Sequence, residues 1–159
     1  MKHQPRTTRR RLATAAVAAV TVLPLPAALS TAQAAADVYF KYPENRLSPQ
    51  FKKGTCVYRI RYGNYGDTGY AQVRFYSGNC GDRSFVMVCG STPGAAYECR
   101  TEHRITTGGS DTCGSYFEKQ ATLPARSNAR TMGVNFPEVN DTNWFQADSG
   151  QATTAYRNC

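Results

Sequence analysis

The sequence predicts an all-β fold: a small antiparallel β-sandwich or barrel, crosslinked by three disulfides and preceded by an extended N-terminal arm. Three observations support this prediction. Short runs of alternating apolar and polar residues recur after residue 56, and glycine-rich turns separate them. The chain of 159 residues contains six cysteines. Its first 34 residues resemble an export signal, and an even number of cysteines in an exported chain indicates a disulfide framework.

Residues 1–34 form the predicted signal peptide. Basic residues near the start precede an alanine-rich apolar stretch, from Leu12 to Leu29, that Pro24 and Pro26 interrupt. The apolar stretch is too short and too broken for a membrane anchor, so we interpret it as a cleaved export signal. Small residues predict cleavage between residues 34 and 35 or between 36 and 37. We therefore expect a secreted, extracellular protein with no membrane contact after the signal is removed.

The charge of the whole chain overstates the charge of the predicted mature protein. The chain has 19 basic and 11 acidic residues, a net charge of +8. Five basic and no acidic residues lie in residues 1–34, which leaves 14 basic against 11 acidic residues, or +3. This excess is small, and we expect no nucleic-acid partner. About 125 residues remain, the length of one domain.

The predicted mature chain divides into an arm, residues 35–55, and a disulfide-crosslinked β-domain, residues 56–159. Strand-forming residues of the arm come just before Pro43, which ends the run. The arm is either an ordinary edge strand or a segment that adds a strand to a partner protein. The second alternative predicts that deleting residues 37–53 leaves the domain folded but abolishes binding of the partner.

The strands of the β-domain follow from period-two patterns. Residues 57–62 alternate, with Tyr58, Ile60 and Tyr62 on one face. We predict further strands at residues 70–76, 85–89 (the most buried), 97–106, 131–136 and 152–159. Residues 115–123 form either a strand, which we favour, or one short helix, and Pro124 ends it. We expect a turn at residues 107–111 and a long polar loop at residues 137–150.

The cysteine spacing favours three pairs, although six cysteines allow several connectivities. Cys89 and Cys99 flank a good turn, and the preferred set is Cys56–Cys80, Cys89–Cys99 and Cys113–Cys159. No C-x-x-C spacing is present. An oxygen-rich cluster lacks the spacing of an EF-hand; its residues are Glu138, Asn140, Asp141, Asn143 and Asp148. We predict no metal site and no cofactor.

Tyrosine is the most unusual part of the composition, since all ten tyrosines follow residue 34. Tyrosine and arginine are favoured at protein interfaces because they combine a large contact area with a polar group. The predicted partner-binding residues are Val38, Tyr39, Phe40, Tyr42, Tyr58, Arg59, Arg61, Tyr62, Tyr65 and Tyr70. They predict a non-catalytic protein that binds another secreted protein. It would be an adaptor subunit of an extracellular assembly, including one that carries a toxin, or an inhibitor of a secreted enzyme.

Two alternative functions remain open. The first is a small secreted hydrolase or ribonuclease-like toxin, in which Glu102 and His103 supply acid–base chemistry and Arg100 or Arg104 stabilises phosphate charge. Neighbouring strand residues point to opposite faces, which argues against a Glu102–His103 pair. The second is a module that binds carbohydrate or a cell-wall polymer through Tyr65, Tyr70 and Trp144.

Overall fold

The computed structural model describes residues 37–76, 80, 83–147 and 150–159. The predicted signal peptide of residues 1–34, its cleavage sites and Asp148 lie outside these described residues. Within them, no helix is long and apolar enough to cross a membrane.

Two sheets make up the described part of the chain. Its strands are β1 (Tyr39–Lys41), β2 (Phe51–Lys53), β3 (Cys56–Tyr65), β4 (Thr68–Phe75), β5 (Phe85–Thr92), β6 (Ala95–Glu102), β7 (Thr107–Asp111), β8 (Gly114–Ala125), β9 (Asn128–Phe136), β10 (Asp141–Gln146) and β11 (Gln151–Ala152), with a 3₁₀ helix at Pro137–Val139. The six-stranded sheet has the order β11-β1-β10-β9-β5-β6, and the five-stranded sheet has the order β2-β3-β4-β8-β7. Strand pairs are antiparallel except those of β1 with β10 and β11. The prediction of a disulfide-crosslinked antiparallel β-fold is confirmed.

The core lies between the two sheets, because buried side chains of both sheets form one apolar cluster. In β3 the period-two prediction is confirmed, since Tyr58, Ile60 and Tyr62 are all fully buried. Burial of such large side chains supplies most of the favourable free energy of folding. The largest fully buried apolar members of the cluster are Tyr58, Tyr62, Phe75, Phe145, Ile60 and Met132.

The three disulfides join the pairs that the spacing favoured: Cys56–Cys80, Cys89–Cys99 and Cys113–Cys159. Cys89 and Cys99 lie directly opposite each other on β5 and β6. The Cys113–Cys159 bridge connects the turn between β7 and β8 to the last residue, and this restricts the end of the chain.

Two segments that the sequence assigned to a turn and a loop are strands. Residues 107–111 form β7, which pairs with β8 at five positions. Residues 141–146 form β10, which pairs with both β9 and β1. The alternation of β10 is disguised because one inward position holds Asn143, whose amide is satisfied in the core by the Tyr58 hydroxyl at 2.6 Å.

The strand around Pro124 is longer than predicted. β8 continues through this proline to Ala125. Thr68 of β4 pairs with Ala125, whereas Tyr70 pairs with Thr122, so β8 carries an extra residue at this point. A β-bulge of this kind accommodates a proline, which has no N–H for the ladder. The predicted closing strand at residues 152–159 is reduced to β11 and one bridge between Gln50 and Arg157.

The predicted arm is packed on the domain. β1 lies between β10 and β11, and both of its edges are paired. Phe51 of β2 is buried in the core, and buried Ser48 exchanges two hydrogen bonds with the backbone of Ile60. A boundary at residue 55 therefore does not separate an arm from the folded domain in this structure.

Candidate functional site

The outward face of the five-stranded sheet carries the clearest candidate site. Along β3 and β4 the buried residues alternate with outward-facing arginines and glutamine. Cross-strand pairing places these outward residues in rows. One row contains Arg59, Arg74 and Glu118; the next contains Arg61, Gln72 and Gln120.

The first row is a closed polar network centred on Asp111 of β7. Its Oδ2 accepts hydrogen bonds from Arg59 Nη1 at 3.1 Å, Arg74 Nη1 at 3.0 Å and the Tyr76 hydroxyl at 2.7 Å. Arg74 Nε also donates to Glu118 Oε2 at 3.0 Å. Two guanidinium groups thus meet two carboxylates, so this part of the face is neutralised.

The pKa values of the network reflect its geometry. Burial alone raises the pKa of Asp111, but hydrogen bonds from Tyr76, the Cys113 N–H and Arg74 outweigh it and hold the pKa below its usual value. Burial, together with the nearby Asp111 carboxylate, raises the pKa of Tyr76 to about 12. Asp111 is therefore ionised and Tyr76 is neutral at physiological pH.

The second row borders a groove of about 390 Å³, formed by β3, β4 and β8. Arg61 is exposed and has no carboxylate within ion-pair distance among the described residues. Tyr65 is the most exposed aromatic side chain of the described chain, at 85%. The residues that line the groove are Arg61, Tyr65, Thr68, Tyr70, Gln72, Gln120 and Thr122.

Tyr70 is held in place beside the groove by a glycine and the arm. It pairs across the strands with Gly63, and its hydroxyl donates to Asn45 Oδ1 at 3.3 Å. The same Asn45 side chain occupies the space where a Cβ of Gly63 would lie. Gly63 has φ 144°, which further favours glycine there. A rigid aromatic lining results, because Tyr70 is also largely buried.

The groove brings together three of the ten predicted partner-binding residues: Arg61, Tyr65 and Tyr70. Arg59 lies beside them but is committed to Asp111. Tyr58 and Tyr62 require a correction, because both are fully buried in the core and present no area to a partner. Period-two geometry already separates them from the outward arginines of the same strand.

The predicted arm residues lie elsewhere. Tyr39 contacts Trp144 with ring centroids 5.9 Å apart, and Phe40 contacts Phe145 at 5.8 Å. Tyr42 donates a hydrogen bond to the Leu47 carbonyl at 3.1 Å. These side chains are partly buried by contacts within the chain, whereas Val38 is exposed.

The predicted catalytic residues do not form an acid–base pair. Glu102 is held by Arg104, whose Nε and Nη2 both lie 3.2 Å from its carboxylate oxygens. These hydrogen bonds lower the pKa of Glu102 to about 2, so the carboxylate is a weak base. The His103 ring packs against Phe85 instead, at 4.8 Å between centroids.

The predicted aromatic platform for carbohydrate is divided between the sheets. Trp144 belongs to β10 of the six-stranded sheet, where its ring covers Gly133. Tyr65 and Tyr70 belong to the five-stranded sheet, and Tyr70 is largely buried. Tyr65 is thus the one member of the predicted trio that offers a largely exposed ring for stacking on a sugar.

The described members of the oxygen-rich cluster are spread over the 3₁₀ helix, the residue that follows it and β10. Asp141 forms an ion pair with Lys53, and buried Asn143 donates to Tyr58. Glu138 and Asn140 lie in and just after the 3₁₀ helix. Among the residues that the structure describes, no group of three or more histidine, cysteine, aspartate or glutamate side chains is arranged to hold a metal ion.

Sequence reasoning missed the polar side chains of the site, namely Asp111, Gln72, Gln120 and Thr122. Nothing in the sequence indicates that β8 brings Gln120 beside Gln72 of β4. Comparisons with protein-family models, with curated proteins and with solved structures found no match. The site is therefore interpreted from its own geometry.

Proposed function

We propose that this chain is a secreted, non-catalytic protein-binding protein whose contact surface is the groove on the five-stranded sheet. The observation that carries the proposal is the combination of Arg61, which has no ion-pair partner among the described residues, with the exposed ring of Tyr65. Tyrosine and arginine are the residue types that most often dominate binding energy at protein interfaces. Three disulfides are compatible with an extracellular location.

The geometry favours this function over the two alternatives. Acid–base catalysis has no support from Glu102 and His103, because each contacts a different neighbour. Of the three aromatic residues predicted to bind carbohydrate, Tyr65 is the one with a largely exposed ring. The polar network beside the groove is internally paired, so a partner protein that covers it leaves no unpaired charge desolvated.

Affinity capture from the native culture medium tests the proposal. The wild-type protein and the variants Tyr65→Ala and Tyr97→Ala are each immobilised, and captured proteins are quantified by mass spectrometry. Tyr97 is a matched control, because it is also an exposed tyrosine but lies on β6 of the other sheet. A central interface tyrosine is worth at least about 2 kcal/mol, roughly thirty-fold in affinity.

We expect a stoichiometric protein that binds wild type and Tyr97→Ala but is lost with Tyr65→Ala. An enzyme as the captured protein makes the chain an inhibitor, and a non-catalytic component of an assembly makes it an adaptor. Equal capture by all three proteins would place the contact away from the groove. Binding to insoluble cell-wall material without a protein partner would favour the carbohydrate alternative.

A further inference from the structure

Arg61 differs from Arg59 and Arg74 in the ion pairing of its guanidinium group. Arg59 and Arg74 both donate to the Asp111 carboxylate. Arg61 lies one step further along the same face of β3 and has no such carboxylate among the described residues. Asp67, in the turn at this end of the groove, is not within ion-pair distance either. The guanidinium group is therefore available to an anion from outside.

The groups next to Arg61 are also arranged to donate. Gln72 Nε2 donates to Gln120 Oε1 at 2.6 Å, which uses the acceptor of the second amide. No acceptor for the Gln120 amide nitrogen lies within hydrogen-bond distance among the protein atoms that the structure describes. Thr122 also lines the groove, whereas the hydroxyl of Thr68 already donates to Asp67 Oδ1 at 3.3 Å. A ligand that supplies acceptor oxygens complements this set.

We propose that the groove binds the carboxylate of an aspartate or glutamate in an extended segment of the partner protein. This inference rests on the proposed function. The planar guanidinium of Arg61 presents paired N–H groups that match the two oxygens of a carboxylate. The Gln120 amide is a second donor to the same ligand, and the Tyr65 ring contacts the neighbouring part of the segment. A polyanion such as a nucleic acid is a poor match, because the groove holds one cation.

Selection from a phage-displayed library of random decapeptides tests this inference. The protein purified from the culture medium is the target, together with the variants Arg61→Gln, Arg61→Lys and Arg100→Gln. Arg100 is the matched control: it is an exposed arginine on β6 of the other sheet, and its replacement changes the net charge equally. Deep sequencing then measures how strongly aspartate and glutamate are enriched at one peptide position.

We expect acidic enrichment on wild type and on Arg100→Gln and none on Arg61→Gln. The selected peptide should bind about ten- to hundred-fold more weakly to Arg61→Gln, the range expected for loss of a charge-assisted hydrogen bond. The Arg61→Lys variant should bind with intermediate affinity, because it keeps the charge and loses the paired donors. Replacing the acidic residue of the peptide with its amide should have an effect similar to Arg61→Gln.

The outcomes separate this inference from the proposed function. Acidic enrichment that persists on Arg61→Gln, or no acidic enrichment on wild type, would overturn the carboxylate inference. In that case, capture of a partner protein that depends on Tyr65 would still support the proposed function. Glucuronate that binds the groove more tightly than the selected peptide would also overturn it, since the carboxylate would then come from a sugar and not from a protein segment.

Discussion

Replacing Asp111 with asparagine tests whether the polar network stabilises the outward face of the sheet. The Asp111 side chain is 17% exposed, and its Oδ2 accepts hydrogen bonds from two guanidinium groups and one hydroxyl. Asparagine keeps the shape of the side chain but removes the negative charge, which leaves Arg59 without a carboxylate partner among the described residues.

The expected loss of stability follows from these contacts. A hydrogen bond to a charged group contributes about 1.5–3 kcal/mol. Breaking a fully buried ion pair costs about 3–5 kcal/mol, and partial exposure of Arg59 and Arg74 lowers this figure. We expect Asp111→Asn to lower the free energy of unfolding by about 2–3 kcal/mol, which is roughly 10 °C in Tm for a domain of this size.

Urea and thermal denaturation followed by circular dichroism give the measurement, with Asp141→Asn as the control. Asp141 also loses an ion pair, with Lys53, but its side chain is 47% exposed. An exposed pair is worth less than about 1 kcal/mol. Equal destabilisation by the two substitutions would refute the conclusion that the network is energetically distinct from a surface ion pair.

The pKa of Asp111 predicts how the difference in stability between wild type and Asp111→Asn changes with pH. The pKa of Asp111 in the folded protein lies below its usual value, because hydrogen bonds from Tyr76, Cys113 and Arg74 outweigh the opposing effect of burial. Its contribution is therefore complete above the unfolded-state pKa of about 3.9 and is lost as the pH falls through the lower folded-state pKa. The stability gap between wild type and Asp111→Asn should be constant from pH 7 to about 5 and should narrow below about pH 4. A gap that does not narrow at acid pH would contradict this reasoning.

Two further predictions concern the core and the arm. Tyr58→Phe removes the hydroxyl that accepts a hydrogen bond from buried Asn143. We therefore expect urea denaturation to show a free energy of unfolding lower by about 1–3 kcal/mol. An unchanged midpoint would mean that the Asn143 amide finds another partner. Deleting residues 37–53 removes β1, β2 and buried Phe51, and we expect loss of the cooperative unfolding transition. Deleting residues 37 and 38 alone, ahead of β1, should leave that transition intact; a stable domain after the longer deletion would restore the arm boundary at residue 55.

The sequence predicted the fold class because strand periodicity is local. The alternation in β3 and β4 can be counted directly, and burial follows it over residues 56–62 and 71–75. β7 escaped prediction because its two glycines and polar residues have low intrinsic strand preference, and pairing with β8 determines its structure. β10 escaped because its polar core residue Asn143 is satisfied by a partner 85 residues away, which no local pattern reveals.

Part of the candidate site was predicted because the alternation of residues along one strand is a local pattern. Arg61 and Tyr65 lie on one strand, and their outward positions follow from the alternation of β3. The interface prediction also included Tyr58 and Tyr62, because composition alone does not distinguish the two faces of a strand. Gln120 required knowledge of which strand lies beside β4, and strand order is a long-range property.

If the groove binds a partner as proposed, the arrangement of charges on the outward face makes that binding selective. If Arg59, Arg61 and Arg74 were all unpaired, they would form a basic patch that attracts many anions without discrimination. Asp111 and Glu118 neutralise two of these arginines, and the row of Arg61, Gln72 and Gln120 holds one charge among neutral amides. A ligand then gains from placing one carboxylate at a defined position and gains little from a higher overall charge. Such an arrangement favours a single defined protein contact over non-specific electrostatic binding.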